Sequence, residues 1–499
     1  MTETISKSTG TERPPIAILG VPFDNLTIAE TVARIQQMIE SRKSHYLVTA
    51  NVDFVVQAQT DIELRRIFAD ADLVLCDGTP LVWVSRLFGN PLVERVAGAD
   101  IVPLLIEQAA AQGYRLFFLG ATAESSKAAV ERLHRRFPKL IIAGHYSPPF
   151  NTLLEMDHDE IKRRISQAQP DLLFVAFGCP KAEKWIAMHY RELGVPVAIG
   201  VGATIDFLAG QVQRAPVWMR RSGLEWIFRL VQEPRRLIGR YAKDLWVFGR
   251  SILAQWWCLR ATGKARAHEW QNQAVDSGHQ FIGFHGNLDD KAAAQIAAAI
   301  SDGRPCIVDL SRLTSIDSTG IALLMRLQQR LHANGSPLVF VGVNRWLQRI
   351  FRRMRWHDFF ACAPDLPMAV RLLEARGQER EAVADGLSRL IWRGEITAAN
   401  IAEAWSRTQE FVLSAAGIQA GSHSVVIDLS EVRFIDSSGL GLMIRARKLA
   451  QREGLTLAFI GAQPAVRSVV RMARLEEFLN VTSGGAESSV DRRLVSAPI

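Results

Sequence analysis

Residues 45–78, HYLVTANVDFVVQAQTDIELRRIFADADLVLCDG, decide how the first half of the chain is read. The apolar runs His45–Ala50 and Asp72–Cys76 are too short for core helices and are bounded by polar or turn residues, as buried strands are. Working outward, the same kind of run returns at Arg115–Leu119, Leu140–Ala143, Leu172–Phe177 and Val195–Val201. Amphipathic helical patterns separate the runs, as in TIAETVARIQQMIE (27–40) and SSKAAVERLHRRF (125–137). Strand–helix alternation over residues 16–210 predicts an α/β domain with a Rossmann-like parallel sheet covered by helices. Each strand ends on a turn or polar residue: Asn51, Asp77-Gly78, Gly120, Gly144, Gly178 and Gly202. Ligands of open α/β sheets bind beyond these carboxyl ends, and glycine there lets backbone amides approach a phosphate. Ordinary loop glycines would look the same one at a time; the row of them is the signal.

The chain is 499 residues long, 48% hydrophobic and 22% charged, enough for several cored domains and too apolar for global disorder. A net charge of +8 favours an anionic partner. Cysteines 76, 179, 258, 306 and 362 form no CxxC and are odd in number, which argues against a disulfide scaffold and for a reducing compartment. The polar N-terminus, MTETISKSTGTERPP, has no signal-peptide pattern, and no apolar run is long enough to span a bilayer.

Residues 214–250 hold nine Arg/Lys against three Asp/Glu, so most of the net charge sits there, and tryptophans 218, 226, 246, 256 and 257 are interleaved through the wider segment 211–260. A basic, Trp-bearing helical segment suits an anionic membrane surface. It equally suits a helix packed on its own domain with a solvated basic face. No recognised nucleic-acid-binding motif is present, and nucleic acid is not an expected partner.

A repeat occupies the second half. CIVDLSRLTSIDSTGIALLMRLQQ (306–329) aligns with VVIDLSEVRFIDSSGLGLMIRARK (425–448) at an offset of 119 residues. The period indicates two copies of a small α/β domain. The stretches TGKARAHEWQNQAVDSG (262–278) and ARGQEREAVADG (375–386) read as linkers. The expected boundaries are 15–212 for the sheet domain, 213–262 for the basic appendage, and 278–376 and 385–486 for the repeated domains.

Asp77, directly after its strand and beside Gly78, is placed for a general base or for a structural cap. Thr49 and Asn51 close the neighbouring strand. Two DxD sequences, Asp70-Ala71-Asp72 and Asp157-His158-Asp159, read as structural: the first precedes its strand and the second opens a helix, where acids favour the dipole. No essential metal and no cofactor are expected.

In order along the chain, LVTANVDFVVQAQ, ADLVLCDGTPLVW, ERVAGADIV, LFFLGAT, FVAFGCPKAEKW, IGVGATIDFLAGQVQRAP and GLEWIFRLVQEPRRLIGRY resemble the signatures of the WecG/TagA/CpsF glycosyltransferases, over about residues 15–250. The resemblance implies inverting transfer of an N-acetylmannosamine-type or related sugar from a UDP-sugar to a sugar carried on undecaprenyl pyrophosphate. It implies a catalytic role for Asp77 as base with Thr49 and Asn51, and a donor-side role for Asp206. Gly78, Gly120, Gly178, Pro180, Lys181, Glu183 and Gly202 are the further substrate-binding candidates. Arg214, Arg221, Arg229, Arg235 and Arg236 are candidates for holding diphosphate. The family pattern PKQE is PKAE here, with Ala182 in the glutamine position, which bears on sugar choice or activity. Peripheral attachment to the inner face of the cytoplasmic membrane and self-association are further expectations.

VDLSRLTSIDSTG and IDLSEVRFIDSSG are similar to the STAS domain of anti-sigma-factor antagonists. That resemblance implies Ser318 and Ser437 as phosphorylation candidates for a kinase and phosphatase pair, or as docking positions for another protein. An exposed hydroxyl at a helix start, or a simple N-cap, is the physical expectation for both serines. A regulatory scaffold with a weakened transferase domain is the alternative reading.

Overall fold

In a computed structural model of the chain, the residues described are 13–260 (without 222 and 233), 269–274, 279–289, 304–334, 336–356, 359–374, 388–416, 424–479 and 481–482. They form two compact units divided at Gly377 and Gln378. The first holds the sheet domain without Asp61–Glu63, the basic appendage and the first repeated domain; the second holds the other repeat and Asp61–Glu63.

The chain opens with a hairpin that sequence periodicity did not reveal, β1 (Ile16–Ile18) paired antiparallel with β2 (Val21–Phe23). The six expected strands follow as β3 (His45–Ala50), β4 (Leu73–Cys76), β5 (Arg115–Gly120), β6 (Ile141–Tyr146), β7 (Leu172–Ala176) and β8 (Val197–Gly200). All pairs are parallel, in the order β4-β3-β8-β7-β5-β6. The strands read as unbroken apolar runs because both faces are covered. Tyr46, Val48 and Ala50 enter one core with Val74, Leu119, Val175 and Trp185. Leu47, Leu75, Phe118, Phe174 and Ile199 enter the other.

This order sets the residues following β4, β3, β8, β7 and β5 side by side along one edge of the sheet. Asp77, Asn51, Gly202, Gly178 and Gly120 therefore converge although they are far apart in sequence.

The appendage consists of helices Val217–Arg221, Glu225–Gln232 and Pro234–Arg260. The long last helix packs on the domain through Leu237, Phe248 and Ile252. Its Gln255 amide donates to Ala17 O at 3.0 Å, and its carbonyl oxygen accepts from Leu19 N–H at 2.8 Å. The opposite face leaves Ile238, Leu245, Trp246, Leu253 and Trp257 exposed. The segment is thus packed on its own domain by one face, as one of the two readings expected, and its exposed face carries apolar and tryptophan side chains. No helix among the described residues is long and apolar enough to cross a membrane.

The first repeated domain is built on β9 (Glu269–Ala274), β10 (Gln280–Leu288), β11 (Cys306–Ile316), β12 (Leu338–Val341) and β13 (Cys362–Ala363), in the order β13-β12-β11-β10-β9. β9 runs antiparallel to β10 and falls inside the stretch read as a linker, whose polar composition hides a strand that adds to a sheet edge. The second repeat has β14 (Ser388–Ile396), β15 (Ser424–Ile435), β16 (Thr456–Ile460) and β17 (Val481–Thr482), all parallel, in that order. Helices Ser318–Ala333 and Ser437–Arg452 follow β11 and β15.

Candidate functional site

Asp77 is held by its backbone. Its N–H donates to Ala50 O at 2.9 Å, extending the β3–β4 ladder one residue past the strand, and Gly78 then opens the helix Thr79–Leu87. The carboxylate faces a ring of charge. Arg95 Nη1 lies 3.7 Å from Asp77 Oδ1 and 3.3 Å from Glu225 Oε2, while Arg95 Nη2 lies 2.6 Å from Asp100 Oδ2. Asp100 also takes Arg214 Nη2 at 2.8 Å and Arg220 Nη1 at 3.6 Å. Glu225 takes Arg229 Nη2 at 3.8 Å. Four arginines and three carboxylates thus meet beyond the end of β4, and the appendage supplies three of the arginines.

Burial pushes the Asp77 carboxyl up to about 7; Arg95 and Arg229 pull it down, and Glu225 and Asp100 raise it. A carboxyl poised there is deprotonated often enough to accept a proton and basic enough to hold it.

Thr49 Oγ1 donates to Gly200 O at 3.4 Å and lies under Gly98, where a Cβ would stand 3.3 Å from it. The helix Gly98–Gln112 thereby starts against β3 and carries Asp100 in its first turn. Asn51 caps the helix Val52–Gln57 by accepting from Phe54 N–H at 3.3 Å, so its carbonyl oxygen serves the fold.

On the other side of the edge, Gly120 (φ +98°) has no room for a side chain, because a Cβ would meet Ala176 O at 2.6 Å. Gly178 and a cis Cys179–Pro180 bond lead into the helix Lys181–Leu193. Lys181 is turned aside: Nζ donates to Asn151 O at 2.5 Å and lies over the Phe150 and Phe177 rings. Glu183 is buried with one oxygen against Gly200, while Oε2 has no hydrogen-bond partner; burial pushes this carboxyl up to about 7. Ala182 is 1% exposed and packed in the core, so it presents no side chain to the site.

Asp206 lies on the helix Thr204–Ala209, one residue before Phe207, whose ring sits beneath the Arg214 and Arg229 guanidinium groups. Arg214 Nε is buried without a partner, as an anion-binding group would be. Arg235 is exposed on its helix; the side chains of Arg221 and Arg236 lie outside those described. Sequence reasoning missed Arg95, Asp100, Arg220 and Glu225. The cue was available in ERVAGAD, where charged residues interrupt an apolar context between two helices.

The two acidic pairs are spent locally. Asp72 accepts from Tyr46 N–H at 3.0 Å, with His45 Nδ1 at 2.9 Å, at the end of the sheet away from Asp77. Asp157 caps its helix by accepting from Glu160 N–H at 3.0 Å.

A parallel sheet whose carboxyl edge sets a poised acid among arginines is the arrangement of a group-transfer enzyme acting on anionic substrates. Comparison with known proteins makes this specific. Residues 16–262 match the family described as glycosyl transferase WecG/TagA/CpsF family. Two N-acetylglucosaminyldiphosphoundecaprenol N-acetyl-beta-D-mannosaminyltransferases of Staphylococcus aureus, from strains MW2 and MRSA252, are each 32% identical over 227 residues, 45% of this chain and 87% of theirs. The chain belongs to the WecG/TagA/CpsF glycosyltransferase family. It carries two STAS domains besides: residues 280–367 match the family "Mlab, STAS domain" and residues 383–487 the family "STAS domain". A solved structure of the anti-sigma factor antagonist SpoIIAA in its unphosphorylated form is similar at 21% identity, covering 22% of this chain and all of that one with a TM-score of 0.19.

In both STAS domains the aspartate, not the serine, caps the helix. Asp317 Oδ1 accepts from Thr319 and Gly320 N–H at 2.9 and 2.8 Å, and Asp436 Oδ1 accepts from Gly439 N–H at 2.9 Å. The serine hydroxyl is not needed for capping. Nor is either serine exposed as expected: Ser318 is fully buried and Ser437 is 5% exposed.

Proposed function

We propose that residues 15–250 transfer an N-acetylmannosamine-type sugar, with inversion, from a UDP-sugar to a sugar carried on a polyprenyl pyrophosphate, for a surface polysaccharide. The observation that carries this reading is the Asp77 carboxyl, poised near neutrality and fixed 3.7 Å from Arg95 in a ring of arginines. Asp77 takes the proton of the acceptor hydroxyl as that oxygen attacks the anomeric carbon. The bond to the nucleoside diphosphate breaks, and its electron pair leaves with the diphosphate. Arginine forks suit diphosphate oxygens and stabilise the charge that develops on them. Arg214 and Arg229, both from the appendage, stand nearest to that task.

The relatives' named acceptor, a diphosphoundecaprenol-linked sugar, supports a lipid-borne acceptor here. The exposed apolar face of the helix Pro234–Arg260 supports attachment at a membrane surface, and the free, scattered cysteines favour its cytoplasmic side. The test is acceptor-dependent UDP release by the purified chain, with a lipid-pyrophosphate-linked GlcNAc and a panel of UDP-sugars. Release that is lost in Asp77→Asn is the expected result. No release from any donor with a widened acceptor panel would sink the reading.

A further inference from the structure

The first STAS domain, which shares a compact unit with the transferase domain, presents its serine to that domain and not to solvent. The Asn90 amide donates to Ser318 Oγ at 3.0 Å and to Asp317 Oδ2 at 2.9 Å. Asn90 closes the turn after the helix Thr79–Leu87, the helix that begins beside Asp77. Farther along the serine's helix, Arg326 Nη1 donates to Ala71 O at 2.7 Å and Nη2 to Asp24 Oδ2 at 2.5 Å. Gln329 Nε2 donates to Ala71 O at 2.7 Å and Asp70 O at 3.0 Å. The same Asp24 oxygen accepts from Val74 N–H at 2.7 Å, so Arg326 and strand β4 share one carboxylate. Trp356 Nε1 donates to Gly20 O at 3.0 Å, in a hairpin turn where a Cβ would meet Met354 O at 2.5 Å. These contacts hold β4 at its start and the Asp77 helix at its far end.

We propose that the first STAS domain is a built-in regulator of the transferase domain: its serine face is occupied by the Asn90 turn and the start of β4, and negative charge added at Ser318 releases it. The physical reason is burial. A phosphate or carboxylate at the buried Ser318 would be forced beside the half-buried Asp317, paired with neither an arginine nor a lysine in the contacts above. Like-charge repulsion and desolvation both oppose docking. Because the hydroxyl is inaccessible when docked, a modifying enzyme acts on the undocked state, and modification then traps that state. The face expected to be a free surface for another protein is, in this chain, already filled by its own transferase domain.

The consequence for turnover rests on the transferase reading; the contact itself is tested without substrate. Hydrogen exchange is measured by mass spectrometry on the full chain, comparing wild type with Ser318→Glu and with Asn90→Asp. The second variant places a carboxylate against Asp317 from the transferase side and leaves the STAS sequence intact. In both, amides of residues 16–24 and 71–77 are expected to exchange roughly tenfold faster or more, while those of β11 at 306–310 stay as protected as in wild type. Wild-type exchange at 16–24 and 71–77 in Asn90→Asp, with β11 protected, overturns the proposal whatever Ser318→Glu does. In the same samples acceptor-dependent UDP release is expected to change with the exchange. A wild-type chain with no turnover would count against the transferase reading alone and leave the exchange result standing.

Discussion

At the residue scale the chemistry is a matter of where carboxyls are buried. Asp77→Asn keeps the size of the side chain and removes its basicity, so turnover should fall by about 10²- to 10⁴-fold, read as initial rates of UDP release. The rate should climb with pH as Asp77 loses its proton, with a midpoint near its raised value of about 7. Arg95 lowers that value by stabilising the carboxylate, so in Arg95→Met the midpoint should move to higher pH, a shift a purely structural role would not produce. Glu183 gives the stability counterpart. Its carboxyl is pushed up to about 7 by burial from an ordinary value of 4.5. A carboxyl raised on folding binds its proton more tightly in the folded state, so its stabilising contribution is present at low pH and is lost as pH rises through that window. Glu183→Gln should therefore flatten the fall in melting temperature between about pH 4.5 and pH 7, measured by differential scanning fluorimetry. An unchanged pH slope would mean that the buried carboxyl is not what titrates.

Single helices and strands carry a different kind of information. The helix Pro234–Arg260 was legible as basic and Trp-bearing, yet nothing in its periodicity said that Gln255 would be its anchor. Gln255 is 1% exposed and satisfies two backbone groups of the β1–β2 hairpin at once. Gln255→Ala should leave Leu19 N–H and Ala17 O buried and unpaired, at a cost of about 1–3 kcal/mol. Chemical denaturation monitored at the hairpin should show it, and a midpoint equal to wild type would remove the anchor role. The hairpin escaped the sequence reading because its strands are three residues each and wholly buried, so they lack alternation. β9 escaped for the opposite reason: EWQNQA is polar, and only pairing beside β10 makes it a strand.

For the molecule as a whole, the helix Pro234–Arg260 presents Leu245, Trp246, Leu253 and Trp257 as an exposed apolar set spread over about three turns, next to a strongly basic segment. Co-sedimentation with vesicles containing anionic lipid should be clear for the wild-type chain, weaker in high salt, and largely lost in Trp246→Ser combined with Trp257→Ser. Equal binding to neutral and anionic vesicles would argue against the electrostatic half of that attachment.

By itself the sequence determined the α/β class, the six parallel strands, the pair of repeated domains and the glycosyltransferase family, because strand–helix alternation, strand-end glycines and ordered signatures are local properties of the chain. It also singled out Asp77, since an acid after a buried strand and before glycine stands at a carboxyl edge in any such sheet. The strand order, which brings Asp77, Thr49 and Gly200 together, was decided only in three dimensions. So was the ring of Arg95, Asp100, Arg214 and Glu225, which joins a loop, a helix start and an appendage more than a hundred residues apart. The burial of Ser318 belongs to the same category. Exposure is set by what packs against a residue, and the turn at Asn90 that covers it lies 228 positions away.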